Sequence, residues 1–255
     1  MEIRDRSALV LGGASGLGAA AATVLRERGA PVTIADIDAA RGQSVADRLG
    51  GAFVQCDALD EDAVGTAVEE AAGRGGDRGL RIAVACAGIA VGERVASAKK
   101  PHALASFRRV LDVNLVGTFN LLRLAAYSML GNEPDEGGER GVIVLTASIA
   151  AFEGQVGQIA YSASKGGIVG MVLPAARDLA PEGVRVVAIA PGTFDTPLLA
   201  GLGEDVRAAL ADQVPFPSRL GRPEEFGEIV RVVVENPMLN GTTIRLDGAL
   251  RMPPR

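Results

Sequence analysis

The sequence predicts an α/β fold, a doubly wound parallel sheet with helices on both faces. Three observations carry this expectation. Short β-branched or apolar runs alternate with longer amphipathic stretches along the whole chain, the pattern of repeated βαβ units. Thirty-three glycines against 4% aromatic residues, with no tryptophan, favour tight turns and close helix-to-strand packing over a sandwich built on aromatic anchors. A length of 255 residues, 48% of them hydrophobic and 22% charged, supplies one large core, and no linker divides it, so residues 1–255 are expected to form a single domain.

The elements follow in order. Residues 7–11 read as the first strand, followed by a glycine-rich turn and an alanine-rich helix that runs to about Gly29, a natural stop. Residues 31–36 form strand two, 39–49 a helix, 52–57 strand three, and 60–74 a helix opened by acidic residues that suit its N-terminus. After a polar turn at 73–79 come strand four at 82–86, a long helical pattern at 106–130 and a polar loop at 131–141. Strand five spans 142–146. A helix at 161–179 stops near Pro181, strand six covers 184–189, a helix covers 224–235, and strand seven covers 242–246. In such a sheet the ligand lies at the carboxyl ends of the strands, so residues that end strands carry most of the functional information.

Composition excludes several function classes. The formal charge of −5 opposes nonspecific nucleic-acid binding by phosphate neutralisation. Cys56 and Cys86 sit in apolar runs without metal-ligand spacing and are expected to be reduced core thiols. The only histidine, His102, follows Lys99, Lys100 and Pro101 and is expected to be a solvated loop residue; one histidine cannot build a His-rich metal site, and no metal is expected. No apolar run reaches the roughly 18 residues of a membrane span, and the charged start lacks a secretory signal, so the expectation is a soluble, cytoplasmic protein without membrane or nucleic-acid partners.

Gly12, Gly16 and Gly18 form G-x-x-x-G-x-G after a strand and at a helix start, where absent β-carbons let the backbone approach a pyrophosphate; Gly13 serves the bend. Ser15 and Leu17 lie within the same turn. Asp36 ends strand two, 18 positions after Gly18, where an acid accepts hydrogen bonds from the adenosine ribose and repels the extra phosphate of NADP; the expected cofactor is therefore NAD. Asp36 also reads as an N-cap of the next helix, and Arg41 folding back would soften the discrimination. Asp57 with Ala58, and Ala87 with Gly88, end two further strands where adenine and ribose would sit, although an Asp there also serves as a turn or helix cap.

Tyr161 and Lys165 are four apart in a helical pattern and share one face, while Ser148 lies just past strand five. A tyrosine, with an ordinary pKa of about 10, becomes a usable base when an ammonium and a cationic nicotinamide favour its phenolate. Asn114 by itself reads as a polar residue within a helix, marking a kink.

Taken together, Gly12 to Gly18, Asn114, Ser148, Tyr161-x-x-x-Lys165 and Pro191-Gly192 resemble the short-chain dehydrogenase/reductase family over nearly the whole chain. The resemblance implies a seven-stranded Rossmann sheet ordered 3-2-1-4-5-6-7 and an Asn/Ser/Tyr/Lys catalytic set. In it Tyr161 is the acid/base, Lys165 lowers its pKa and holds the nicotinamide ribose, Ser148 orients the substrate oxygen, and Asn114 holds a relay water. Pro191, Gly192 and Thr196 fall on the nicotinamide side, with Thr196 placed to bond the carboxamide; a helix N-cap before Pro197 is the competing reading. Two departures stand out: Leu11 replaces the usual Thr before the first glycine, and Ala85-Cys86-Ala87-Gly88 replaces Asn-Asn-Ala-Gly.

Residues 110–120, 151–181, 213–221 and 235–252 are similar to the type-2 3-hydroxyacyl-CoA dehydrogenases within that family. This implies NAD-dependent oxidation of (S)-3-hydroxyacyl-CoA to 3-oxoacyl-CoA, with a hydroxysteroid or broad secondary-alcohol dehydrogenase as the alternative, and a homotetramer. An NADPH-linked 3-oxoacyl-carrier-protein reductase is opposed by Asp36, and a non-catalytic nucleotide-sensing protein by the complete reactive set. Residues 197–217 carry Leu198, Leu199, Leu202, Val206, Leu210, Val214 and Phe216, either an apolar cover for an acyl chain or sterol or ordinary helix core. Lys99, Lys100, Arg219 and Arg222 are either CoA-phosphate ligands or solvated surface.

Overall fold

The structure, a computed structural model, describes residues 1–200 and 203–254, with the backbone alone at Leu198 and Ala200. Seven parallel strands run β1 (Ser7–Leu11), β2 (Val32–Asp36), β3 (Ala52–Gln55), β4 (Leu80–Ala85), β5 (Gly141–Thr146), β6 (Val184–Pro191) and β7 (Thr243–Leu246). Their order is β3-β2-β1-β4-β5-β6-β7, as the family resemblance implied. Val10 pairs with Ile34 on one side and Val84 on the other, so the order reverses across β1.

Alternation along the strands feeds two cores. Leu9, Leu11, Ile143 and Leu145 face one layer, made by helices α3 (Glu61–Arg74), α5 (Gly117–Leu130) and α6 (Ile159–Leu179). Ala8, Val10, Val142 and Val144 face the other, made by α1 (Gly16–Glu27), α2 (Ala39–Leu49) and α9 (Pro223–Glu235). Covered on both faces, the central strands are apolar without interruption rather than alternating with polar residues. Asp38 caps α2 by accepting from the Arg41 amide, and Asp60 caps α3 by accepting from Asp62 and Ala63, so each helix start is fixed by the acid that precedes it.

The predicted 106–130 helix is three pieces. α4 (Leu104–Leu111) passes through a π-helical turn, Asp112–Val116, into α5. The widened turn buries the Asn114 side chain between layers, where a regular helix would set a different residue. α7 (Pro197–Ala200) and α8 (Glu204–Asp212) lie between β6 and β7. α8 buries no residue, which removes the ordinary helix-core reading for that part of 197–217; Leu202 lies outside the described residues, as does the Leu198 side chain. Among the described residues no helix is long and apolar enough to cross a membrane.

Candidate active site

The first βα turn is shaped by contacts that leave no space for side chains. Gly12 has φ +79°, and a Cβ there would stand 2.7 Å from the Ala87 Cα and the Cys86 carbonyl carbon; one on Gly18 would strike the Gly12 carbonyl oxygen. Ser15 occupies the N-cap position of α1 without making a side-chain cap bond, and the first turn of the helix holds no acid. The first-turn N–H groups and the positive end of the helix therefore face outward, which fits a pyrophosphate.

Asp36 sits against this turn. Its carboxylate accepts from the Ala14 amide at 2.9 Å and the Asp38 amide at 3.0 Å. The N-cap of α2 is Asp38 and not Asp36, and Arg41 pairs with Asp38 at 2.9 Å instead of folding back on Asp36. Asp57, exposed, accepts from the Leu59 amide in a turn bond, and Ala58 is buried, its carbonyl accepting from the Asn120 amide. At the two departures the Leu11 carbonyl accepts from the Cys86 amide at 2.7 Å and the Ala87 amide at 3.1 Å, and the Cys86 thiol meets the Thr146 hydroxyl at 3.3 Å.

Beyond the carboxyl ends of β4, β5 and β6 lies a cavity of about 330 Å³. Ser148, Tyr161, Lys165 and Thr196 line it together with Leu17, Gly88, Pro191 and Gly192. Ser148 opens a short 3₁₀ turn, Ile149–Ala151, and Tyr161 and Lys165 project from consecutive turns of α6, so two elements converge. Lys165 Nζ donates to the Thr146 carbonyl at 2.7 Å and lies 5.7 Å from the centre of the Tyr161 ring. The Thr196 hydroxyl donates to the Phe194 carbonyl at 3.5 Å.

Asn114 stands behind the cavity wall. Its Oδ1 accepts from the Ile89 amide at 2.7 Å, and its Nδ2 donates to the Ile89 carbonyl at 2.9 Å and the Ser164 hydroxyl at 3.0 Å. A Cβ on Gly88 would stand 3.2 Å from Asn114 Oδ1 and 3.7 Å from Lys165 Nζ, so only glycine leaves these two groups facing a shared gap.

The electrostatics differ from the sequence expectation. In the protein by itself the Tyr161 phenol is raised above 10.0, because burial outweighs its hydrogen bond with Ser148. Burial lowers Lys165 from 10.5 to about 8, a nearby Cys86 charge opposing the shift. Both shifts favour the uncharged forms, so the phenolate needs positive charge beyond that of the lysine.

These shifts give a signed prediction. Between about 8 and 10.5 the unfolded chain keeps a Lys165 proton that the folded chain has lost, so this group adds stability as pH rises through that window. Cys56 and Cys86, raised by burial from 9.0 to about 11, act oppositely, since the folded chain retains protons that the unfolded chain releases. Lys165→Met removes the first contribution, together with the charge that holds Cys86 down. Urea unfolding of the cofactor-free protein is expected to show this variant losing stability relative to the parent as pH goes from about 8 to about 10. A pH-independent difference would contradict the placement of the amine.

One surface expectation is corrected. His102 is not solvated: its side chain is 10% exposed, packs edge-on to Phe107 and lies 3.6 Å from Glu93. Arg219 is held by both oxygens of Glu225, and Lys100 pairs with Glu93, so two of the four candidate phosphate ligands already have partners. Cys86 is only partly buried and touches the cavity. Sequence reasoning missed Gln158 and Met252, which also line the cavity. Gln158 carried a signal, one helical turn before Tyr161; Met252 carried none.

A parallel sheet with an uncapped glycine turn and a Ser/Tyr/Lys group sharing a cavity at its carboxyl edge defines a nucleotide-dependent oxidoreductase layout. The sequence profile of the short chain dehydrogenase family matches residues 6–207. The chain is 56% identical to the 3-hydroxyacyl-CoA dehydrogenase type-2 of Homo sapiens over 256 aligned residues, covering 99% of this chain and 97% of that one. Against the Drosophila melanogaster protein of the same name the identity is 50%, covering 99% and 100%. Among solved structures, the crystal structure of 3-hydroxyacyl-CoA dehydrogenase type-2 from Mycobacterium avium superposes with a TM-score of 0.94 at 44% identity, covering 98% of both chains. The chain belongs to the short chain dehydrogenase family and is an oxidoreductase that works with a nicotinamide cofactor.

Proposed function

We propose that this enzyme uses NAD to interconvert (S)-3-hydroxyacyl-CoA and 3-oxoacyl-CoA, with residues 1–255 acting as one catalytic domain. The observation that carries the reading is the convergence of Ser148, Tyr161 and Lys165 on one cavity beside the glycine turn; the names of the relatives at 56% and 50% identity direct it to acyl-CoA substrates. Gly12, Ser15, Gly16, Leu17 and Gly18 hold the pyrophosphate, Asp36 the adenosine ribose, and Asp57 and Ala58 the adenine. Ala87, Gly88, Pro191, Gly192 and Thr196 surround the nicotinamide half.

A bound nicotinamide supplies the hydride acceptor. Tyr161 takes the hydroxyl proton of the substrate through its phenol oxygen, and Ser148 donates a hydrogen bond to the same substrate oxygen, stabilising the charge that develops there. Lys165, fixed by the Thr146 carbonyl, holds the nicotinamide ribose and, when charged, favours the Tyr161 phenolate. Asn114 positions Ile89 and presents Oδ1 to the gap beside Gly88, where a relay water would pass the proton outward. Leu199 gives the cavity an apolar wall from α7. The exposed Val116, Phe119 and Tyr127 on the 112–130 helical segment support packing between subunits, in keeping with a homotetramer.

NADH formation with 3-hydroxybutyryl-CoA, a hydroxysteroid and a plain secondary alcohol tests the substrate class. The highest kcat/KM is expected for the thioester; a higher value for the steroid or the alcohol would replace this reading by the broader dehydrogenase. Asp36→Ala is expected to shift the ratio of kcat/KM for NAD over NADP by about tenfold or more towards NADP, equivalent to ~1.4 kcal/mol of relieved repulsion. An unmoved ratio would remove Asp36 from the cofactor site.

A further inference from the structure

Met252 reaches the cavity from a part of the chain far from every motif. The segment after β7 folds back over the loop between Ser148 and Tyr161. Arg245 holds this return: its guanidinium donates to both carboxylate oxygens of Glu153 at 3.0 and 2.9 Å, to Asp247 at 2.7 Å and to the Leu250 carbonyl at 3.1 Å, and lies over the Phe152 ring at 5.2 Å. Arg251 adds a bond to Asp247 at 3.1 Å. Two further bonds seat the tail on the loop, from the Val156 amide to the Pro254 carbonyl at 3.0 Å and from Gln155 Nε2 to the Pro253 carbonyl at 3.1 Å.

The result is a small separate apolar cluster. Leu250 is 2% exposed and packs with Ile149 and Val214, and Met252 packs against them. Ile149 directly follows Ser148, so the cluster adjoins the reacting end of the cavity that Met252 also lines. A bidentate Arg–carboxylate pair is directional and fixes the tail in one register, while an unbranched thioether offers the cavity an apolar wall whose depth follows its volume.

We infer that Met252 sets how long a substrate chain the cavity accepts, and that Arg245 and Glu153 are the positioning residues that hold it there. The inference rests on the acyl-thioester reading above. Each added methylene of chain must find space against this wall, and a hydrophobic pocket discriminates by roughly an order of magnitude or more per methylene in favourable cases. Shortening residue 252 deepens the cavity and lengthening it closes the cavity, so substitutions in the two directions should act oppositely.

The test is NADH oxidation with acetoacetyl-CoA, 3-oxohexanoyl-CoA and 3-oxodecanoyl-CoA by the parent, Met252→Ala, Met252→Trp and Glu153→Gln enzymes. Met252→Ala is expected to raise the ratio of kcat/KM for the longest over the shortest substrate by about fivefold or more, and Met252→Trp to lower it by a similar factor. Glu153→Gln is expected to move the ratio in the direction of Met252→Ala, through KM rather than kcat, with the NADH dissociation constant read by fluorescence unmoved. Ratios unchanged in both Met252 variants, with the parent active on the series, overturn the inference. A Glu153→Gln enzyme that loses kcat equally on all three substrates overturns the positioning role. A parent inactive on every thioester overturns the substrate reading instead; the same variants are then scored on secondary alcohols of matching lengths, where unchanged ratios again overturn the role of Met252.

Discussion

Tyr161→Phe is expected to lower kcat by about 10²–10⁴-fold, the usual contribution of a positioned acid/base, while leaving affinity for the dinucleotide intact. The substitution removes one oxygen and keeps the ring that packs on α6, so the cavity and its neighbours stay in place. Tyr161 is the group on which the proposed proton transfer depends; in the protein by itself burial raises its phenol and lowers Lys165 to about 8, so further positive charge beside the ring favours the phenolate. Stopped-flow turnover together with a direct NAD titration checks both halves. A variant with parental turnover would show that another group moves the proton.

The second large effect is structural and sits at the opposite end of the sheet. Arg185, on β6, is 6% exposed and donates to Glu139 at 2.7 Å and to the carbonyls of Val233, Val234, Asn236 and Leu239. It closes the C-terminus of α9, which presents carbonyls that no further helical turn can satisfy. Arg185→Met is expected to destabilise folding by about 3–5 kcal/mol, because a buried carboxylate and several carbonyls lose the guanidinium together. Urea unfolding measures it, and adding Glu139→Leu should recover part of the loss. A single variant within about 1 kcal/mol of the parent would show that water replaces the guanidinium without cost.

Arg185 also shows where sequence reading stops. Nothing in Val-Arg-Val-Val shows what would receive the charge, yet both faces of β6 are covered, and the guanidinium is tolerated because α9 ends within its reach. The strand order, the glycine turn and the Tyr161/Lys165 pair were legible because each depends on spacing within one or two adjacent elements. Several boundaries moved by local causes: β4 begins at Leu80, directly after Gly79 with φ +59°, and β3 stops at Gln55 before the turn bonded by Asp57. His102 was misread because its burial comes from Phe107 and Glu93, which a polar neighbourhood in sequence conceals. Met252 was missed because it reaches the cavity through a fold-back held by Arg245, a contact separated from the cavity motifs by most of the C-terminal third of the chain.

The widened turn at Asp112–Val116 has a consequence for how this family member can vary. Asn114 is aimed by a residue count: one surplus position in the backbone spiral sets its direction, and Thr118 locks the arrangement by donating its hydroxyl to the Asn114 carbonyl at 2.6 Å. Losing a single residue there would relax the spiral to the ordinary pitch and remove the wide turn that carries Asn114. Around Asn114 the other side chains of this stretch can be exchanged, but its length is constrained as the identity of Asn114 is.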